Sequence, residues 1–330
     1  MINKDAKLVD NVFDLEALEK VPTRDGYGKG VVEAGEEDER IVVLCADLAE
    51  STRSHWFKEK FPERYIELGV AEQNLATIGA GLANYGKIPF ISSYAAFSPG
   101  RNNEQIRTTI SINNVPVKII GAHAGVSVGP DGATHQALED IALMRAQPNM
   151  TVIVPADMEE TRKATLAAVD IPGPVYIRLA REKTPVFTTT GSPFEVGKAN
   201  VLYDLDKIEV AIIACGPLVH NALLAANELS KEEINVAVVD NHTIKPMDSK
   251  TIVSIARKAG AVVTVEEHQV AAGMGSAVAE VLAREYPVPI EFIGVQDKFG
   301  QSGKPDELIE HYGMGVGSIK EAVRKVVKRK

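Results

Sequence analysis

The run Ile41-Val-Val-Leu-Cys-Ala-Asp47 is continuously apolar up to its last residues, as expected of a strand buried on both faces of a parallel sheet. Runs of the same kind recur outward from it: Tyr65-Ile-Glu-Leu68, Ile88-Pro-Phe-Ile-Ser-Ser-Tyr94, Val117-Lys-Ile-Ile-Gly121, Thr151-Val-Ile-Val-Pro155 and Val175-Tyr-Ile-Arg-Leu179. Between them the pattern turns helical over residues 71–85, closed by Gly86, and over 101–113, 135–147 and 158–169. Strands that alternate with helices in this way predict βαβ units around a parallel sheet.

From 186 to 208 the pattern weakens into Thr188-Thr-Thr-Gly-Ser-Pro193 and Gly197-Lys-Ala-Asn200, which reads as a domain junction. A second α/β series follows, with strands predicted at 210–215, 236–240, 261–266 and 290–295 and helices at 218–230, 248–258, 273–285 and 317–328. The expected fold class is α/β in two domains, residues 1–190 and 191–330, each a mostly parallel sheet with helices on both faces.

A length of 330 residues suits two domains with their own cores, and 45% hydrophobic with 25% charged residues is ordinary for a globular protein. With 36 Lys+Arg against 45 Asp+Glu the net charge is −9, which argues against a general nucleic-acid binder but leaves room for a local anion pocket. No apolar run nears the roughly 18 residues needed to span a bilayer. The first residues, Met1-Ile-Asn-Lys-Asp-Ala-Lys7, lack the apolar core of a secretory signal. The only cysteines, Cys45 and Cys215, lie in apolar runs and fit buried thiols in a reducing compartment. A cytoplasmic protein with no membrane or nucleic-acid partner is expected.

Open parallel sheets bind ligands beyond the carboxyl ends of their strands. Those positions hold Asp47, Ser51, Glu72, Tyr94, Phe97, His123, Asp131, His135, Arg178 and Arg181. Taken singly, each has a plain structural use. Asp47, Ser51 and Glu72 suit helix caps and first turns, and Asp131 lies in the turn Gly129-Pro-Asp-Gly132. Their shared position favours a site. Gly273-Met-Gly275 opens a helix like a dinucleotide fingerprint, but Val278 stands where the third glycine belongs. Histidines and cysteines nowhere have zinc spacing, and a Walker loop and a nucleophile elbow are absent.

Leu68-Gly-Val-Ala-Glu-Gln-Asn-Leu75 resembles the pyrimidine-domain signature of thiamine-diphosphate enzymes. Gly129-Pro-Asp-Gly-Ala-Thr-His-Gln136 with Leu138-Glu-Asp140, and Ser98-Pro-Gly-Arg-Asn102, resemble segments of transketolases, and the likeness runs through the C-terminal domain. The resemblance implies that Glu72 bonds N1′ of the cofactor's aminopyrimidine from a largely apolar pocket, with Tyr94 and Phe97 stacking on the ring and Asp47 near the cofactor. A third aromatic expected at Gly100 is missing. The resemblance further gives Asp131 a sugar hydroxyl and His123 proton transfer at the donor carbinol. It makes His135, Arg24, Ser51 and Arg181 the phosphate clamp, a task that suits the guanidinium fork, and it counts His135 with Glu72 and His123 among the catalytic residues.

The Gly-Asp-Gly motif that holds a divalent ion on the cofactor's diphosphate does not occur in the chain. The resemblance therefore implies the C-terminal subunit of a split transketolase. Thiamine diphosphate would be shared with a separate N-terminal subunit that holds Mg2+ or Ca2+, in a self-associating two-plus-two heterotetramer acting on sugar phosphates. The rivals are deoxyxylulose-phosphate synthase, the β subunit of 2-oxoacid dehydrogenases, a non-catalytic regulatory relative and, last, a nicotinamide-dependent oxidoreductase.

Overall fold

Ile41–Cys45 is buried along its whole length in a seven-stranded sheet of a computed structural model that describes residues Met1–Lys330. The strand order is Thr243–Lys245, Thr151–Ile153, Val175–Arg178, Lys118–Ala122, Ile88–Tyr94, Ile41–Cys45 and Tyr65–Glu67. All pairs are parallel except the edge pair of Thr243–Lys245 with Thr151–Ile153. A second sheet has the order Ile290–Val295, Val262–Gln269, Val210–Ala214, Val236–Asp240 and Asn200–Tyr203, parallel but for its last strand. The expected class, two α/β domains with mostly parallel sheets flanked by helices, is what the chain adopts.

One apolar core of 37 residues joins the two sheets, because it takes Leu44, Ile91 and Ile119 from the first together with Ile213 and Val239 from the second. The helices Glu72–Asn84, Ser249–Ala259 and Met274–Glu285 fill it with Leu75, Ile252 and Val278. The edge strand Thr243–Lys245 crosses from the second series to the first sheet. Asn3 donates its backbone amide to the Leu202 carbonyl (2.8 Å), and Ala6 and Val12 pack in a second core with Val210 and Val238 of the second sheet.

Among the segments that depart from the pattern read in sequence, three bear on the site. Thr23–Glu37 is a 15-residue helix that the periodicity did not announce, since Gly26, Gly28, Gly30 and Gly35 depress helical propensity. Two of these glycines let the helix lie against Met158–Val169: a Cβ on Gly26 would strike the Met158 carbonyl, and one on Gly30 would crowd Thr165. The helix expected over 135–147 is reduced to Asp140–Arg145, because the chain before it turns through Gly125, Gly129 and Gly132 at positive φ. The helix expected over 101–113 widens into a π-turn at Ile106–Ser111.

Candidate active site

Strand register aligns the polar residues along one edge. Cys45 pairs with Ser92, so Asp47 and Tyr94 emerge level; Tyr94 pairs with Ala122, so His123 emerges beside it. Asp47 has φ 58° and donates its amide to Glu67 Oε1 (2.8 Å). Glu67 also accepts from the Tyr65 hydroxyl and from the amides of Leu68 and Gly69. Burial alone would raise the Glu67 carboxyl, but these four donors hold it below the usual range. The turn leading to Glu72 is thereby fixed.

Glu72 opens the helix Glu72–Asn84 and is 2% exposed. Its Oε2 accepts from Arg101 Nη1 at 2.7 Å, and its carbonyl accepts from Asn102 Nδ2 at 2.9 Å. The largely apolar surroundings expected for this carboxyl are corrected here: an arginine is bound to it. Phe97 lies under the same guanidinium, 4.8 Å from its carbon to the ring centroid.

The aromatic residues form one cluster. Tyr94 and Phe97 stack with centroids 6.0 Å apart, and Tyr94 stacks on His123 at 4.0 Å. His135 presents its edge to both, at 5.3 Å from Phe97 and 6.2 Å from Tyr94, and its Nδ1 lies 2.9 Å from Thr134 Oγ1.

A cationic group adjoins this cluster. The buried Thr23 hydroxyl accepts the Ala180 amide (2.8 Å), so the first turn of Thr23–Glu37 is tied to the segment that carries Arg181. Arg24 Nη1 lies 2.8 Å from the Ser51 carbonyl, to which it donates, and 3.2 Å from His123 Nε2. Arg181 Nη1 donates to the Val128 carbonyl (2.6 Å) and to Asp131 Oδ2 (3.3 Å). Burial, then the nearby Arg53, draws Arg24 below the usual arginine range. His123 is pushed down to about 2 by burial, then by Arg24, Arg181, Arg53 and His135. A neutral imidazole among arginines makes a pocket suited to an anion.

Sequence reading left out Arg53, held by Asp25 at 2.6 Å, and gave no role to Arg101 and Asn102 although it quoted both. The nearness of Arg53 to Ser51 was the one available signal. Arg178 is not in the site: it is buried, with Nε 2.8 Å from Asp140 Oδ2 and Nη2 donating to the Glu267 carbonyl (2.8 Å). Gly273-Met-Gly275 takes no pyrophosphate there, because Glu266 already accepts the Met274 and Gly275 amides.

Known proteins resemble the chain along most of its length. Residues 19–186 match the transketolase pyrimidine binding domain, and residues 197–319 the transketolase C-terminal domain. The chain is similar to the "Putative transketolase C-terminal section" of Methanocaldococcus jannaschii, 42% identical over 93% of this chain and 96% of that one. It is 39% identical to the 6-deoxy-6-sulfo-D-fructose transketolase subunit SqwH of Clostridium sp. (strain MSTE9), over 95% of this chain and 97% of that one. Human transketolase is 37% identical over 94% of this chain, which spans only 49% of the human protein. Among solved structures, that described as "Split gene transketolase, inactive beta4 tetramer" superposes with a TM-score of 0.87 at 47% identity, covering 93% of this chain and 99% of that one.

Proposed function

The chain belongs to the transketolase family, and from that premise we propose that it is the C-terminal subunit of a split transketolase that moves a two-carbon ketol unit from a ketose phosphate to an aldose phosphate. The observation that carries this reading is the meeting, on one sheet edge, of the buried Glu72 carboxylate, the Tyr94–Phe97 stack and the cationic group around His123.

The family depends on thiamine diphosphate, and the residues here fit one end of it. Glu72 offers a carboxylate for the aminopyrimidine edge, Tyr94 and Phe97 offer ring faces, and Asp47 lies level with them. His123 Nδ1 is buried with no partner in the chain, as a group that bonds a ligand would be. For the diphosphate end, the chain has neither a Gly-Asp-Gly motif nor a cluster of three His, Cys, Asp or Glu able to hold a metal. We assign the diphosphate and its Mg2+ or Ca2+ to a separate N-terminal subunit, in a heterotetramer with two copies of each chain.

When bound, the cofactor supplies the carbon nucleophile and the electron sink of the reaction. Glu72 holds a proton between its carboxylate and the pyrimidine ring. Arg24 and Arg181 bind the substrate's phosphate, with Ser51 fixing Arg24 through its carbonyl. Asp131, beside Arg181, takes a sugar hydroxyl. The resemblance implied catalysis for both histidines and the clamp for His135; contacts favour giving the clamp to His123 and leaving proton transfer to His135. His135, edge-on to Tyr94 and Phe97, is suited to proton transfer at the carbinol. His123, pinned by Arg24, is suited to donating its Nδ1–H to the phosphate.

The likeness to the sulfo-fructose transketolase subunit favours a second substrate reading, in which the same cations hold a sulfonate. Turnover of phosphorylated against sulfonated ketoses by the reconstituted complex separates the two.

The main reading is tested by joining the chain to a candidate N-terminal subunit carrying Gly-Asp-Gly. Ketol transfer should require both chains, and Glu72→Ala should abolish it while the complex still assembles. Full activity of the isolated chain would overturn the split, and full activity of the Glu72→Ala complex would overturn the site.

A further inference from the structure

Arg101 has no assigned role, yet it holds the two surfaces that the cofactor's ring would need. Its guanidinium donates to Glu72 Oε2 at 2.7 Å and covers Phe97 at 4.8 Å. The backbone sets this up. The Arg101 amide donates to the Phe97 carbonyl (2.8 Å), which puts the two side chains on one face of a turn. Gly100 has no room for the missing aromatic, because its Cβ would strike the Ala96 carbonyl. Next to Arg101, the buried Asn102 bonds both the Glu72 carbonyl and Ser98 Oγ (2.9 and 3.1 Å). The main chain is therefore anchored while the Arg101 side chain, 50% exposed, is free to swing outward.

We propose that Arg101 is a displaceable stand-in for the cofactor's aminopyrimidine, closing Glu72 and Phe97 in the unloaded chain and leaving them when the ring enters. The inference rests on the reading of Glu72 given above. A guanidinium is a planar cation that offers N–H groups to a carboxylate and a flat face to an aromatic ring. A pyrimidine ring protonated at its edge makes the same two contacts, and the two groups cannot share one place. Arg101 thus keeps a buried carboxylate paired until cofactor and partner arrive, and its displacement lowers cofactor affinity.

The test is a double-mutant cycle of Glu72→Gln and Arg101→Gln, with Arg101→Lys as a variant that keeps the charge. In the isolated chain, thermal unfolding should reveal coupling between positions 72 and 101. In the complex with the diphosphate-binding subunit, calorimetry with thiamine diphosphate should give a Kd roughly three- to tenfold lower for Arg101→Gln. Arg101→Lys should fall between that variant and the wild type. In the Glu72→Gln background the Arg101→Gln change should alter Kd by less than about twofold. A weaker or unchanged Kd for Arg101→Gln, with Glu72→Gln clearly weakened, overturns the stand-in and leaves the Glu72 assignment intact. An unchanged Kd for Glu72→Gln overturns that assignment and the stand-in with it.

Discussion

His123 Nε2 lies 3.2 Å from Arg24 Nη1, while Nδ1 of the same ring is buried without a partner. A guanidinium only donates, so Nε2 accepts and the ring hydrogen sits on Nδ1. Burial and then the surrounding arginines push the imidazole down to about 2, so it is neutral in the unliganded pocket across pH 5.5 to 8. The ratio of KM for a ketose phosphate between His123→Gln and the wild type should therefore be constant from pH 5.5 to 8. A ratio that climbs below pH 6.5 would mean that the ring takes up a proton to bind substrate.

Arg24 and Arg181 reach the pocket from two elements that Thr23 ties together. If they hold a phosphate, their loss should be felt only by substrates that carry one. Arg24→Ala or Arg181→Ala should raise KM for a phosphorylated acceptor by roughly 10- to 100-fold, the value of a charged hydrogen bond. KM for an unphosphorylated aldehyde should change by less than about threefold. Equal losses with both acceptors would assign the arginines to folding.

Glycines of opposite kinds give a paired stability test. Gly26 faces the Met158 carbonyl with no room for a methyl group, whereas a Cβ on Gly81, inside the helix Glu72–Asn84, would meet nothing within 4 Å. Gly26→Ala should lower the unfolding free energy by about 1–3 kcal/mol through overpacking. Gly81→Ala should raise it by about 0.5–1 kcal/mol through helix propensity. Urea unfolding of the isolated chain reads both signs.

The same contrast explains what could be read from sequence. Ile41–Cys45, Val210–Ala214 and Val236–Asp240 were legible because a strand buried on both faces needs a nearly unbroken apolar run. The helix Thr23–Glu37 was hidden because close packing, which only the fold defines, selected glycine over good helix formers. The strand Thr243–Lys245 was hidden because its partner lies in the other domain. In the site, the residues beyond strand ends were legible from topology. Arg101 and Arg53 were not, since an arginine's reach is set by side-chain packing that only the fold defines. Arg178 stood at a strand end like the rest, and only its pairing with Asp140 removes it from the site.

That pairing carries its own prediction. Arg178 and Asp140 are buried, and the Tyr176 hydroxyl adds a second bond to the same Asp140 oxygen at 2.7 Å. The bond from Arg178 to the Glu267 carbonyl makes the guanidinium a strut between the first sheet and the second. Arg178→Met should cost about 3–5 kcal/mol, because it strands a buried carboxylate. Replacing both residues, Arg178→Met with Asp140→Leu, should recover a large part of that loss. A single variant within about 1 kcal/mol of the wild type in urea unfolding would show that water reaches the pair.

Glu160 and Asp240 form a second buried joint, of opposite character. Both are buried and face one small cavity together with Lys163, Thr188, Ser192 and Asn200. Glu160 accepts the Ala156 amide (2.6 Å), whereas neither Asp240 oxygen has a donor. Burial pushes Glu160 up to about 7, against the opposing pull of the Asp240 side chain and the Ala156 amide. Burial and then Glu160 hold Asp240 well above the usual range. Two such carboxyls are stable only while they retain a proton. Both folded values lie above the unfolded ones, so the stability they contribute is full below about pH 4 and falls as pH rises, Glu160 losing its share through about 7. Asp240→Asn puts a permanent N–H where the proton is needed. Its unfolding free energy relative to the wild type should improve by about 1 kcal/mol or more between pH 5.5 and pH 8. If the two proteins instead lose stability in parallel over that range, the proton is not shared between these residues, and the pH dependence has its source elsewhere in the core.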